Sequence, residues 1–141
     1  AGRPVPEPLE GDWSPRSGYA AGKRLAELAG KVGAVFVAND QMALGVLRAL
    51  TEAGVRVPEE MSVVGFDDVP ESEFFSPPLT TVRQDFGAVG RHSLDVLMRQ
   101  IAERDTTRHE RIVVPPALVP RASTAPPAGG PYTGPPDSLS T

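Results

Sequence analysis

Residues 61–85, which read MSVVGFDDVPESEFFSPPLTTVRQD, decide the fold of this chain. Val63 and Val64 belong to a β-branched apolar run that is typical of a strand buried on both faces of a sheet. Two carboxylates, Asp67 and Asp68, follow almost at once. Open α/β sheets bind ligands in the crevice outside the carboxyl ends of their strands, where such acids would lie. The stretch therefore predicts an α/β fold with a small-molecule site.

A strand and a helix precede this stretch. Residues 32–38 (VGAVFVA) are apolar, β-branched and aromatic, so they predict a buried strand. Asn39 is a typical helix N-cap, apolar residues recur at helical spacing over residues 40–53, and Gly54 ends the helix. Strand, helix and strand with short connections predict a right-handed parallel βαβ unit. The predicted fold class is therefore α/β, with a Rossmann-like parallel sheet.

Further elements flank this unit. Ser14, followed by a proline, predicts the start of a helix that Gly30 stops, and the glycines of this helix suit close helix packing. Residues 80–83 predict a strand, and Asp85 predicts the cap of a helix with one apolar face. Residues 112–119 predict a last strand. Two prolines interrupt it, which indicates an edge position or a bulge.

Composition narrows the classes of function. The net charge is −4 and no basic stripe is present, which argues against nucleic-acid binding by this segment. The chain has no cysteine, which excludes disulfides and thiolate catalysis and suits a reducing cytoplasm. No apolar run is long enough for a membrane span. Proline and glycine concentrate at both ends, so residues 1–10 are predicted to be a linker and residues 122–141 a disordered tail, around a domain at 11–121.

The carboxyl ends of the predicted strands define the candidate site. Because parallel strands end side by side, Asn39, Asp67 and Gln84 are expected to converge on one rim. Carboxylate and amide groups there could exchange hydrogen bonds with a polar ligand. Asn39 could serve only as a helix cap, and Asp67 and Asp68 could only form a turn.

Four blocks in order resemble the LacI/GalR family of sugar-responsive bacterial transcription regulators: GDWS at residues 11–14, VFVANDQMALGVLRAL at 35–50, VGFDD at 64–68 and PPLTTVRQDF at 77–86. Members of this family carry an N-terminal helix-turn-helix domain and a two-lobed effector-binding domain of the periplasmic-binding-protein-like type I fold. The resemblance implies that this chain is a fragment, an incomplete C-terminal lobe of that domain without the DNA-reading part.

The resemblance also implies roles for individual residues. Asp67 is similar to the family's carboxylate that accepts hydrogen bonds from ligand hydroxyls, and Asn39 to its neighbouring amide. Trp13 resembles the aromatic wall of the pocket, while Gln84 and Phe86 lie where the chain crosses to the other lobe. Forked polar groups beside an aromatic face are the chemistry that recognises a sugar. The alternatives are a core or hinge position for Trp13 and hinge packing for Gln84 and Phe86.

The implied partners are a small sugar-like effector, a second copy of the chain in a homodimer, and operator DNA bound only through the missing helix-turn-helix domain. Phe74, Phe75 and Met42 would lie at the dimer interface, with local core packing as the alternative for the two phenylalanines. Asp68 is expected to be structural, bonding to loop N–H groups. No cofactor and no metal are expected, because Asp67 and Asp68 have no third oxygen ligand at suitable spacing.

Other classes of protein remain as alternatives. A periplasmic sugar-binding protein of a transporter shares this fold and this pocket chemistry. An α/β enzyme would need a positioned nucleophile or a general-acid pair, and neither His92 nor His109 has a Ser or Cys elbow nearby. The resemblance favours the regulator over these alternatives and implies a cytoplasmic, non-enzymatic sensor domain of a transcription regulator.

Overall fold

The computed structural model of the chain describes residues 6–103 and 111–126. The elements are α1 (Pro15–Ala26), β1 (Ala34–Phe36), α2 (Asp40–Glu52), β2 (Ser62–Val64), a 3₁₀ helix (Pro70–Phe74), β3 (Thr81–Arg83), α3 (Phe86–Glu103) and β4 (Ala117–Val119). The predicted helices and strands are present in the predicted order, although the strands are shorter. None of the helices within the described residues is long and apolar enough to cross a membrane.

The strands are arranged in the order β1, β2, β3, β4. β1 and β2 pair in parallel around α2, which confirms the predicted parallel βαβ arrangement. The chain after β2 continues this parallel pairing, since the Gly65 N–H donates to the Thr80 carbonyl at 2.9 Å. β4 pairs antiparallel with β3 and lies at the edge, as the prolines before it indicated.

The helices begin where the sequence predicted. The side-chain oxygens of Ser14, Asn39 and Asp85 each accept the backbone N–H three residues further on, at 3.1, 2.8 and 2.7 Å. These bonds satisfy N–H groups that the first turn of a helix leaves without a partner. α1 ends at Ala26, four residues before the predicted stop, and Gly30 follows with a φ of +81°.

α1 and α2 pack so closely that their backbones touch. A Cβ on Gly45 would lie 2.0 Å from the carbonyl oxygen of Pro15, and a Cβ on Gly18 would lie 2.1 Å from that of Met42. No side chain fits at either position. The glycines of α1 therefore serve helix packing, as predicted.

The core lies between α2, β2 and the segment before β3. Its buried apolar side chains are Leu25, Val37, Ala43, Val46, Leu47, Leu50, Met61, Val63, Phe75 and Leu79. Phe75 is only 9% exposed and belongs to this core, which supports the core alternative for Phe75. Phe74, the next residue along the chain, is 80% exposed. Met42 is half-buried, packs against this core and lies close to Gly11.

Several predictions of burial and disorder are corrected. Ser123 is fully buried. Its hydroxyl accepts the Thr80 N–H at 2.8 Å and donates to the Val63 carbonyl at 2.6 Å. Ser123 is therefore ordered, although the tail was predicted to be disordered from residue 122. Leu9, in the predicted linker, packs against the core. Residues 1–5 and 127–141 of the predicted linker and tail lie outside the described residues. β1 was predicted to be buried, but its first and last residues are exposed, including the Phe36 side chain.

α3 presents its apolar face outward. Phe86, Val89, Leu94, Leu97, Met98 and Ile101 are all exposed. The helix itself was predicted correctly, and its apolar face is left largely uncovered by the described part of the chain.

Candidate functional site

The carboxyl ends of β1, β2 and β3 meet along one edge of the sheet. The Asp40 N–H, just after β1, donates to the Phe66 carbonyl, just after β2, at 2.9 Å. The Asp67 N–H donates to the Val82 carbonyl of β3, also at 2.9 Å. The turns that carry Asn39, Asp67 and Gln84 are therefore linked through hydrogen bonds into one rim.

Asp67 and Gln84 are in direct contact at this rim. The Gln84 Nε2 donates to the Asp67 Oδ1 at 2.8 Å, and both side chains are half-buried. Within the described residues, no hydrogen bond reaches the Asp67 Oδ2. An ionised carboxylate has about four lone-pair sites, so this group keeps the capacity to accept ligand hydroxyls.

Asn39 is 7% exposed and both ends of its side chain are engaged. Its Oδ1 accepts the Met42 N–H, which makes it the helix cap, and its Nδ2 donates to the Trp13 carbonyl at 3.1 Å. The capping explanation of Asn39 is therefore correct. The same side chain also fixes the backbone of the rim's aromatic residue.

Trp13 projects from a tight turn, with a φ of +69° and 65% of its surface exposed. Asp12 holds this turn, because its Oδ1 accepts both the N–H and the hydroxyl of Ser14, and its own N–H donates to the Ser17 Oγ. Hydrogen bonds from Ser14 and Ser17 lower the pKa of the exposed Asp12 carboxyl to about 2. Trp13 therefore does not belong to the core formed by the described residues.

Two other exposed aromatic residues follow or end the strands that form the rim. Phe86, the first residue of α3, is exposed two residues after Gln84. Phe36 ends β1 and contacts Phe66 edge-to-face, with ring centroids 6.2 Å apart. The sequence analysis missed Phe36, because its strand was expected to be buried. Exposed rings beside polar groups are suited to covering the C–H surface of a sugar.

Backbone strain concentrates at the same place. Among the non-glycine residues that the structure describes, positive φ angles occur at Trp13 (+69°), Asp67 (+111°) and Asp68 (+56°). Each such residue costs about 1–3 kcal/mol and persists only where its surroundings hold it, often at ligand sites. All three belong to the candidate site or to its supporting turn.

Asp68 forms ion pairs rather than the predicted bonds to loop N–H groups. Its carboxylate accepts from the Arg83 Nε at 2.5 Å and from the Arg121 Nη2 at 2.7 Å, and its side chain is 6% exposed. Burial favours a higher pKa for this carboxyl, but the hydrogen bonds and charges of Arg121 and Arg83 outweigh it, so the pKa lies below its usual value. The structural role predicted for Asp68 holds with different partners.

A buried acid that the sequence analysis passed over lies behind the rim. The Asp40 carboxylate has no solvent exposure and accepts hydrogen bonds from Val69, Ser72 and Thr81. An acid directly after an N-cap is common, because the helix dipole stabilises a negative charge there. The sequence around Asp40 therefore gave no signal that this acid is buried. Within the described residues, no group of three or more His, Cys, Asp or Glu side chains is placed to hold a metal ion.

Comparisons with known proteins agree with this geometry. The family described as periplasmic binding protein-like domain matches residues 3–124. The HTH-type transcriptional repressor PurR of Mannheimia succiniciproducens is 46% identical over 115 residues, which is 82% of this chain and 34% of the relative. The lactose operon repressor of Escherichia coli (strain K12) is 42% identical over 125 residues, 89% of this chain and 34% of the relative. The chain spans about a third of the length of these relatives.

Solved structures show the same likeness. The lac repressor dimer bound to operator and the anti-inducer ONPF superposes with a TM-score of 0.72 at 44% identity, over 82% of this chain and 40% of that one. The complex of the transcriptional regulator CelR with cellobiose gives a TM-score of 0.73 at 41% identity, over 80% of this chain and 34% of that one.

Proposed function

The chain belongs to the family of periplasmic binding protein-like domains, in the form that LacI/GalR-type repressors carry, and we propose that it forms part of the effector-sensing domain of a bacterial transcriptional repressor. The contact between Asp67 and Gln84 is the observation that carries this proposal; it lies at a strained rim, where Asn39 also holds the backbone of the exposed Trp13. The relatives are named as repressors, which supports a regulator over a transport component and a binding role over a catalytic one.

The proposed effector is a small sugar-like molecule. Asp67 accepts hydrogen bonds from its hydroxyls, Gln84 orients that carboxylate and adds an amide oxygen, and Trp13 and Phe86 cover its apolar face. Asn39 contributes by fixing Trp13. A hydrogen bond to an ionised group contributes about 1.5–3 kcal/mol, so a few such contacts reach the roughly −8 kcal/mol of micromolar binding.

Structures of similar proteins support this class of effector. Their descriptions name cellobiose with CelR, sucrose with a LacI family regulator from Lactobacillus casei, and ONPG with the lac repressor. These compounds share several hydroxyls around saturated rings. A carboxylate–amide pair beside an aromatic ring matches that pattern of polar and apolar surface.

The proposed mechanism is a population shift within a cytoplasmic homodimer. The effector stabilises one arrangement of the lobes over another, which alters the spacing of two DNA-reading heads carried elsewhere in the protein. The heads must match half-sites about one helical turn apart, so a small reorientation changes operator affinity. Phe74, exposed on the 3₁₀ helix, is the proposed apolar contact of the dimer.

Footprinting on operator DNA tests the regulatory proposal. The complete protein is titrated onto its upstream region with sucrose, cellobiose, ONPG and simple hexoses and pentoses. At least one sugar is expected to change operator occupancy. Occupancy that stays the same across the whole panel would remove the sensing function.

Calorimetry tests the site. Asp67→Asn keeps the size of the side chain and removes its charge, so the Kd of the sugar identified in the panel is expected to rise about ten- to a hundredfold, the equivalent of one charge-assisted hydrogen bond. Glu59→Gln is the matched control, because Glu59 is an exposed acid near the opposite, amino end of β2. An unchanged Kd for Asp67→Asn would remove Asp67 from the site.

A further inference from the structure

Asp40 is a buried carboxylate held by hydrogen bonds. Its Oδ1 accepts the Thr81 hydroxyl at 2.6 Å, and its Oδ2 accepts the Ser72 hydroxyl at 2.6 Å and the Val69 N–H at 3.0 Å. None of the ion pairs formed among the described residues includes it. A buried charge without a cation is costly unless it is fully hydrogen-bonded, so each of these donors matters to the fold.

The contacts of Asp40 enclose the turn that presents Asp67. The Asp40 N–H donates to the carbonyl of Phe66, the residue before Asp67. The Asp40 Oδ2 accepts the N–H of Val69, the residue after Asp68. Both residues in between have positive φ angles, a conformation that the surrounding structure must enforce. Asp40 therefore holds both ends of the strained turn.

The other carboxylate oxygen reaches the strand that presents Gln84. Thr81 belongs to β3, three residues before Gln84, and its hydroxyl donates to the Asp40 Oδ1. The carboxylate also lies against the main chain directly after β2, since a Cβ on Gly65 would be 2.2 Å from the same Oδ1. One side chain thus sets the position of the Asp67 turn relative to Gln84.

We propose that Asp40 is a positioning residue for effector binding: its carboxylate fixes the Asp67 turn against β3, so that the Asp67–Gln84 pair is already formed before the effector arrives. The inference rests on the proposed function and deepens it, since Asp40 itself is buried and acts through Asp67. An amide would replace the carboxylate poorly, because it leaves one acceptor oxygen where three donors converge and forces a hydroxyl that faces its NH2 group to turn from donor to acceptor.

Binding measurements on the complete protein test this role. The probe is whichever of sucrose, cellobiose and ONPG binds the unsubstituted protein with the lowest Kd by calorimetry. Asp40→Asn is expected to raise that Kd by at least about tenfold, as the loss of a support behind a binding side chain commonly does. Ser123→Ala is the matched control, because it removes an equally buried hydroxyl that joins β2 to the residue before β3, away from the turn. It is expected to leave the Kd unchanged at temperatures where circular dichroism shows both variants folded.

A double-mutant cycle separates positioning from general stability. If Asp40 acts through Asp67, Asp40→Asn adds little to the Kd of Asp67→Asn, whereas independent effects would multiply. Thr81→Val removes only the link to β3, and it gives the same test if Asp40→Asn does not fold. An unchanged Kd for both variants, beside a raised Kd for Asp67→Asn, would overturn the inference and leave the proposed function intact. A protein that binds none of the probes overturns both, and this is seen before any variant is made.

Discussion

Substitutions of Asn39 separate its two structural tasks. Asn39→Ala removes the oxygen that caps α2 and the amide that holds the Trp13 carbonyl. Loss of such a cap costs about 0.5–2 kcal/mol, and loss of the second hydrogen bond costs about 0.5–1.5 kcal/mol. The free energy of unfolding should therefore fall by about 1–3.5 kcal/mol.

Asn39→Ser keeps a capping oxygen and removes the donor to Trp13. The Ser variant should therefore be more stable than the Ala variant by about 0.5–2 kcal/mol, which is the contribution of the cap. Both variants release the Trp13 backbone, so both should raise the Kd of the sugar identified by the operator panel.

Urea denaturation of the complete protein, followed by far-ultraviolet circular dichroism, measures the stability difference as a change in midpoint at constant m. Calorimetry with the same sugar measures the Kd. A Ser variant no more stable than the Ala variant would show that capping is not the main task of Asn39. A normal Kd in the Ser variant would show that Trp13 needs no support from this amide.

The remaining predictions concern ion pairs and packing. The pKa of the Asp68 carboxyl is lowered in the folded protein, where it pairs with Arg121 and Arg83. This pairing stabilises the folded state fully above the unfolded pKa of about 3.9. The stabilisation is lost as the pH falls through the lower folded pKa. Asp68→Asn should reduce the free energy of unfolding more at pH 7 than near pH 3, as measured by urea denaturation at both pH values. Equal reductions at the two pH values would contradict the pairing. Gly45→Ala should cost at least about 1–3 kcal/mol by forcing α1 and α2 apart, and an unchanged Tm would refute that contact. Phe75→Ala should cost about 3–5 kcal/mol, whereas Phe74→Ala should change stability by less than about 0.5 kcal/mol and weaken the dimer in sedimentation equilibrium; a destabilised Phe74→Ala variant, or an intact dimer, would contradict this assignment.

The local features of the fold were predictable because short-range chemistry sets them. The caps at Ser14, Asn39 and Asp85 depend on a side chain and an N–H three residues apart, and the apolar runs of β1 and β2 need no knowledge of their neighbours. The meeting of Asp67 with Gln84 was also predictable, since parallel strands that follow one another in a βαβ sheet end at the same edge.

Burial and long-range pairing could be decided only by the tertiary structure. The sequence does not distinguish Phe74 from Phe75, which are adjacent and chemically identical. The direction of the 3₁₀ helix exposes Phe74 to solvent and buries Phe75 in the core. Asp68 meets Arg121 across 53 positions of the chain, and Ser123 meets Val63 across 60, distances that no local pattern spans. Asp40 looks like any acid in a first helical turn. It becomes the support of the rim because α2 packs its N-terminus against β2, where the turn after β2 and the strand β3 bring their donors to one carboxylate.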